Sequence, residues 1–135
     1  MEYLFDHEKL KAYQEAIQFV AWLAPRLEDF RKCRVMHDQL ERASTSIALN
    51  LAEGNARFSM KERSRYLEIA SGSTMECAAA LDVLCAQGHL APAESAAGKQ
   101  ILKRVAGLII GLRNNAQNRI AEEGVAYGGE ELEEE

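Results

Sequence analysis

The side chains that could carry chemistry in this chain are its carboxylates, three histidines, three cysteines and a dense polar run between Gln39 and Arg57. Helical bundles that hold paired metal ions use a Glu-x-x-His pattern on each of two helices. No glutamate here is followed three residues later by histidine, and His7, His37 and His89 fall at predicted helix ends or loops without H-x-x-x-H spacing. The phosphate-cradling G-x-x-x-x-G-K-S/T and the nucleophile elbow G-x-S-x-G are both missing from the sequence. Glu53 and Glu76 are spaced to work as paired carboxylates, but Arg57 and Arg42 lie within reach of them. An ion-paired carboxylate has its pKa pulled down, the wrong direction for a general acid. The expectation is a protein that is not an enzyme, with no catalytic residue, no metal and no cofactor.

Cys33, Cys77 and Cys85 are an odd set without a C-x-x-C pair. Cys77 and Cys85 lie on one predicted helix, about 12 Å apart along its axis, beyond the roughly 7 Å between Cα atoms that a disulfide spans. They read as buried thiols in a reducing compartment.

In the polar run, hydrophilic groups occupy positions where helical periodicity asks for apolar ones. Asn50 falls in the seam register, and Arg42, Ser46 and Glu53 form a stripe beside it at spacings of 4 and 7. Ser73 and Glu76 lie one turn apart on the following helix. Buried polar groups must find partners or cost roughly 2–7 kcal/mol. One reading is an interhelical network of Arg42, Ser46, Asn50, Glu53, Ser73 and Glu76 that fixes helix register and assembly state. The other is a ligand pocket built from the same groups.

Four helical segments must position these residues. The first spans about 8–29, with a stripe of Leu10, Tyr13, Ile17, Val20, Ala24 and Leu27 and a kink expected near Pro25. The second spans 35–53, with Met36, Leu40, Ala43, Ile47 and Asn50 on one face and Gly54 as a left-handed cap. The third, 60–87, opens on the capping box Ser59–Glu62 and stops at Gln87-Gly88. The fourth, 92–119, starts at Pro92 and carries Ile101, Val105, Leu108 and Leu112 as its seam. Short connections make consecutive helices antiparallel neighbours, an all-α up-down-up-down four-helix bundle over residues 1–120.

Composition agrees: 47% hydrophobic and 27% charged residues over 135 positions describe one globular domain. No apolar run approaches the roughly 20 residues of a membrane span, and the N-terminus lacks the basic region of a secretory signal, so no membrane role and a cytoplasmic location are expected. The net charge of −5 is carried by the end of the chain, where residues 121–135 hold seven glutamates and no lysine or arginine. That stretch cannot bury enough surface to offset its entropy and reads as a disordered acidic tail. Phe19, Trp22 and Ile110 exceed what one seam can use and are candidates for an oligomer interface.

Gln39-Leu-x-Arg42-Ala43-x-x-Ser46-Ile47-x-x-Asn50-x-Ala52-Glu53-Gly54-x-x-Arg57, then Tyr66-Leu67-x-Ile69-Ala70-x-Gly72-Ser73-x-x-Glu76, resembles the four-helix-bundle proteins encoded in 23S rRNA intervening sequences. Phe5, Leu10, Tyr13 and Ala16 fit the same pattern, and the resemblance covers roughly residues 5 to 115. It implies a homopentameric ring. It also implies kinship of fold with the accessory variability protein of diversity-generating retroelements, which binds nucleic acid and a reverse transcriptase. The chain departs from the pattern at Glu41, where the family has an arginine beside Arg42, at Ala48 in place of proline, and at Ala56 in place of glycine.

Two uses follow for such a ring. One is a scaffold for RNA, DNA or a nucleic-acid enzyme, with Arg57, Lys61, Arg63 and Arg65 as the contacts to phosphate. The other is a protein–protein interaction ring with no nucleic-acid role, in which those cations are the solvated, ion-paired start of a helix.

Overall fold

A computed structural model of the chain describes residues 2–126. Within them lie four helices, α1 (Lys11–Leu27), α2 (Arg34–Asn55), α3 (Met60–Ala86) and α4 (Pro92–Ala126). One-turn 3-10 segments flank α1 at Asp6–Lys9 and Glu28–Phe30. Polar pairs between helices fix their directions. Glu15 meets Arg104 and Arg26 meets Glu94, so α1 and α4 run oppositely. Ser46 meets Ser73 across α2 and α3, and Asp82 meets Lys99 across α3 and α4. Asp6, just ahead of α1, is bonded to Asn55 at the end of α2. Each helix touches its two neighbours in a closed cycle and not the helix diagonally opposite. The result is an antiparallel up-down-up-down bundle.

The buried positions follow a 3-and-4 repeat on every helix, the spacing that keeps one stripe facing its neighbours. They are Ala12, Ala16, Phe19 and Leu23 on α1, and Leu40, Ser44, Ile47, Leu51 and Gly54 on α2, with Ala43 and Ala48 buried beside them. On α3 they are Leu67, Ala70, Thr74, Cys77, Leu81 and Leu84, with Met60 and Ala80 also buried. Leu102, Val105 and Ile109 continue the pattern on α4. This register corrects the sequence reading along the whole α1 stripe, at Asn50 alone on α2, where Leu40, Ala43 and Ile47 are buried as expected, and around Val105, buried as expected, on α4. Ile17 and Ala24 face solvent, and the α1 stripe runs through Phe19 instead. On α2 the repeat steps four residues from Ile47 to Leu51, which leaves Asn50 beside the seam. On α4, Leu102 and Ile109 are central while Ile101, Leu108 and Leu112 flank them. The cause is common to all three: each helix has an apolar arc wider than one stripe, and small residues decide which part lies closest to a neighbour.

Helix ends show local causes. Pro25 lies in the last turn of α1, where its missing amide removes one bond to the preceding turn, and the helix passes into the 3-10 turn within three residues. Ser59 Oγ accepts from the Glu62 amide at the start of α3. At its end Gly88 takes φ +82°, and the amides of Gly88 and His89 close onto Cys85 and Leu84. Gly54 is not such a cap. It sits inside the last turn of α2, where a Cβ would come 2.8 Å from Tyr66 Cβ, so its use is to let α3 approach.

α4 does not stop near Arg119 but continues to Ala126, because Ile120 to Glu123 are adequate helix formers and propagation costs little once a helix exists. The expectation of disorder in the acidic stretch falls, from residue 127, outside the described residues. α3 is by length and composition apolar enough to cross a bilayer, with a third of that stretch buried between α2 and α4.

Candidate functional site

The polar run lies on the outer groove between α2 and α3. Ser46 Oγ and Ser73 Oγ are 2.8 Å apart, and Asn50 Nδ2 donates to the Ser46 carbonyl and hydroxyl at 2.8 and 3.0 Å. These three half-buried groups satisfy one another across the seam. Arg42 and Glu76 are not part of this set: both are exposed, and neither has a carboxylate or cationic partner within 4 Å among the described residues. Glu53 is turned away to Arg57. The six-residue network expected from sequence therefore reduces to Ser46, Asn50 and Ser73. Long charged side chains on the shoulder of a seam reach water at little cost, whereas short hydroxyls cannot and must pair.

The cations of the α2–α3 corner divide into fixed and free. Arg57 lies over the Tyr66 ring at 5.1 Å and donates through Nη2 to Tyr66 Oη and Glu53 Oε2 at 2.9 and 3.1 Å. The hydrogen bond to Tyr66, ahead of that to Glu53, raises its pKa above the ordinary arginine value. Its backbone carbonyl accepts from Arg63 Nε at 2.6 Å. Arg57 is thus a brace for the loop. Lys61 and Arg65 lie one turn apart on the exposed face of α3, and neither has a carboxylate within 4 Å among the described residues. Phe58, between brace and cations, is 98% exposed.

One cation that sequence spacing could not reveal joins them. Arg119, 54 positions after Arg65, is carried to this end by α4, and with Arg63 it lines a cavity of about 50 Å³ floored by Leu10, Leu51, Met60 and Leu112. Only the antiparallel return of α4 brings it there.

The interface candidates separate in the same way. Phe19 is 0% exposed and belongs to the core of a single chain, so it is unavailable for an interface. Trp22 is half-buried, stacked between Phe19 and the Arg26 guanidinium and packed onto Gly98. Ile110 is 53% exposed. Leu49 and Met75, at 60% and 62%, present apolar surface that the periodicity argument did not pick out. Among the described residues, no group of three or more histidine, cysteine or acidic side chains is placed to hold a metal ion.

A search of curated proteins returns no match to the chain. The family model described as 23S rRNA-intervening sequence protein matches residues 8–111, which take in α1, α2, α3 and the first half of α4 with the whole Ser46–Ser73 groove and the Arg57 corner. On that match the chain belongs to the 23S rRNA-intervening sequence protein family.

Proposed function

We propose that this protein is a non-enzymatic, self-associating helical scaffold that holds nucleic acid, or an enzyme working on it, at the α2–α3 corner. The observation that carries the reading is the gathering of Lys61, Arg63, Arg65 and Arg119 at one end of the bundle, none with a carboxylate within 4 Å among the described residues. Lys9, Arg26, Arg31, Arg57, Lys99, Arg104 and Arg113 are each paired, and the other cations without a carboxylate within 4 Å among the described residues, Lys11, Lys32, Arg34, Arg42 and Lys103, are spread over α1, α2, α4 and the turn between α1 and α2. Unpaired cations keep their full attraction for phosphate and release counterions when they meet it.

Self-association is supported by the outer α2–α3 face, where unpaired Arg42 and Glu76 accompany exposed Leu49, and by exposed Met75 on the neighbouring α3–α4 groove. A ring, pentameric by resemblance, repeats the cationic corner and turns weak contacts into avid ones. Filter binding of RNA and DNA at low salt is expected to retain both with the wild-type chain. Lys61→Ala/Arg65→Ala should lower the slope of log affinity against log salt by roughly one to two. No retention at micromolar protein rules the nucleic-acid reading out, and sedimentation as a monomer at every concentration rules out the scaffold. Sedimentation as an oligomer that retains no nucleic acid favours the second reading, a protein–protein ring.

A further inference from the structure

We propose that Phe58 is a stacking platform for an unpaired base, which makes single-stranded nucleic acid the ligand of the corner; this rests on the nucleic-acid reading above. The linker Ala56–Ser59 is tied on both sides of the ring. The Ala56 and Arg57 amides bond to Ala52 and Gly54 carbonyls at 3.3 and 3.1 Å, and Arg57 O accepts from Arg63. On the far side Ser59 Oγ receives the Glu62 amide and Ser59 O the Arg63 amide. Phe58 is the one residue of this braced turn whose large apolar side chain is left in water, 98% exposed, while Met60 two positions later is buried. Its own fold gains nothing from the ring. A ring on a fixed backbone gives up little freedom on meeting a partner, so its contact free energy is largely kept.

The surroundings select the partner. Lys61 and Arg65 stand three and seven residues beyond the ring with free charges, about 6 Å apart along the helix. An aromatic face with cations alongside matches a strand whose bases and phosphates alternate. A duplex offers no free base face, and opening one costs a few kcal/mol.

The test is fluorescence anisotropy of labelled oligouridylate and of a duplex of equal length, titrated with the full chain. Phe58→Ala should weaken oligouridylate binding by roughly 5- to 150-fold and leave the salt slope and duplex binding unchanged. Phe58→Tyr should retain it. Because the side chain is in water, Phe58→Ala should melt as the wild type does, which separates loss of contact from loss of fold. Wild-type affinity in Phe58→Ala overturns the stacking role while the nucleic-acid reading survives. Failure of the wild type to bind either nucleic acid overturns both. Binding to phosphatidylserine vesicles that depends on Phe58, with no oligouridylate binding, also overturns the proposal in favour of a membrane surface.

Discussion

Cys77 sits at the centre of α3 with 0% exposure, and burial, with a smaller contribution from the Glu76 charge, pushes its thiol up to about 12. An unfolded chain ionises the same thiol near ~8.5. Between those values the unfolded state releases a proton that the folded state keeps, so folding stability is whole below about pH 8.5 and falls as pH rises. By pH 10 the loss should be about 2 kcal/mol. Urea midpoints measured from pH 8 to 10 should fall more steeply for the wild type than for Cys77→Ala, whatever the cavity cost of the substitution at pH 8. Parallel profiles would show that the thiol is hydrated. Reading at this scale from sequence was good at residue type and poor at placement. Cys77 was legible as a buried thiol, because a cysteine in an apolar stripe has few other fates, whereas Cys33 and Cys85, read the same way, are only half-buried. Asn50, Phe19 and Arg42 were misplaced, because one step of 3 in place of 4 rotates a helix position by about 100°, enough to exchange seam for shoulder.

At the scale of elements, the α1–α4 contact depends on a missing side chain. A Cβ on Gly98 would lie 2.5 and 2.7 Å from two Trp22 ring carbons and 2.9 Å from Leu81 Cδ1. The indole cannot yield, since Phe19 stacks on it and Arg26, held by Glu94 at 2.6 Å, lies across it. Gly98→Ala should destabilise the bundle by about 1–3 kcal/mol despite the better helix propensity of alanine. Gly107→Ala, on the same helix with nothing within 4 Å of the added carbon, should stabilise by about 0.5–1 kcal/mol. Thermal melts of the pair check both signs. Both glycines read alike in sequence, because what distinguishes them is a neighbour far along the chain. The helix count and the starts of α3 and α4 were legible, since Ser59, Pro92 and Gly88 act within a few residues of themselves. The end of α4 was not, because an exposed helix terminus is set by propensity without a stop signal.

For the whole molecule, the closed cycle of antiparallel neighbours follows from connections of four residues between α2 and α3 and five between α3 and α4. That topology was readable in advance, whereas Arg119 lining one cavity with Arg63 needed the fold. The helices are unequal: α3 has 27 residues and its partner α4 has 35. Past about Arg119, α4 has outrun α3, and Ala121, Glu122 and Glu123 are exposed. With Ala121, Glu122 and Glu123 in water and Ile120 and Gly124 only half-buried, this overhang relies mostly on its own amide bonds to stay helical, and a few turns with so little packing are marginal. Amide deuterium uptake should accordingly be slow through Val105 and Ile109 and reach near-unprotected rates by Ala121, a gradient along one continuous rod. Protection undiminished to Ala126 would mean that something else shelters the projecting turns. Since they leave the bundle at its cationic end, the shielding body would then be an adjoining copy or a docked strand, and adding or removing either should show as a change in exchange there before any other part of the chain responds.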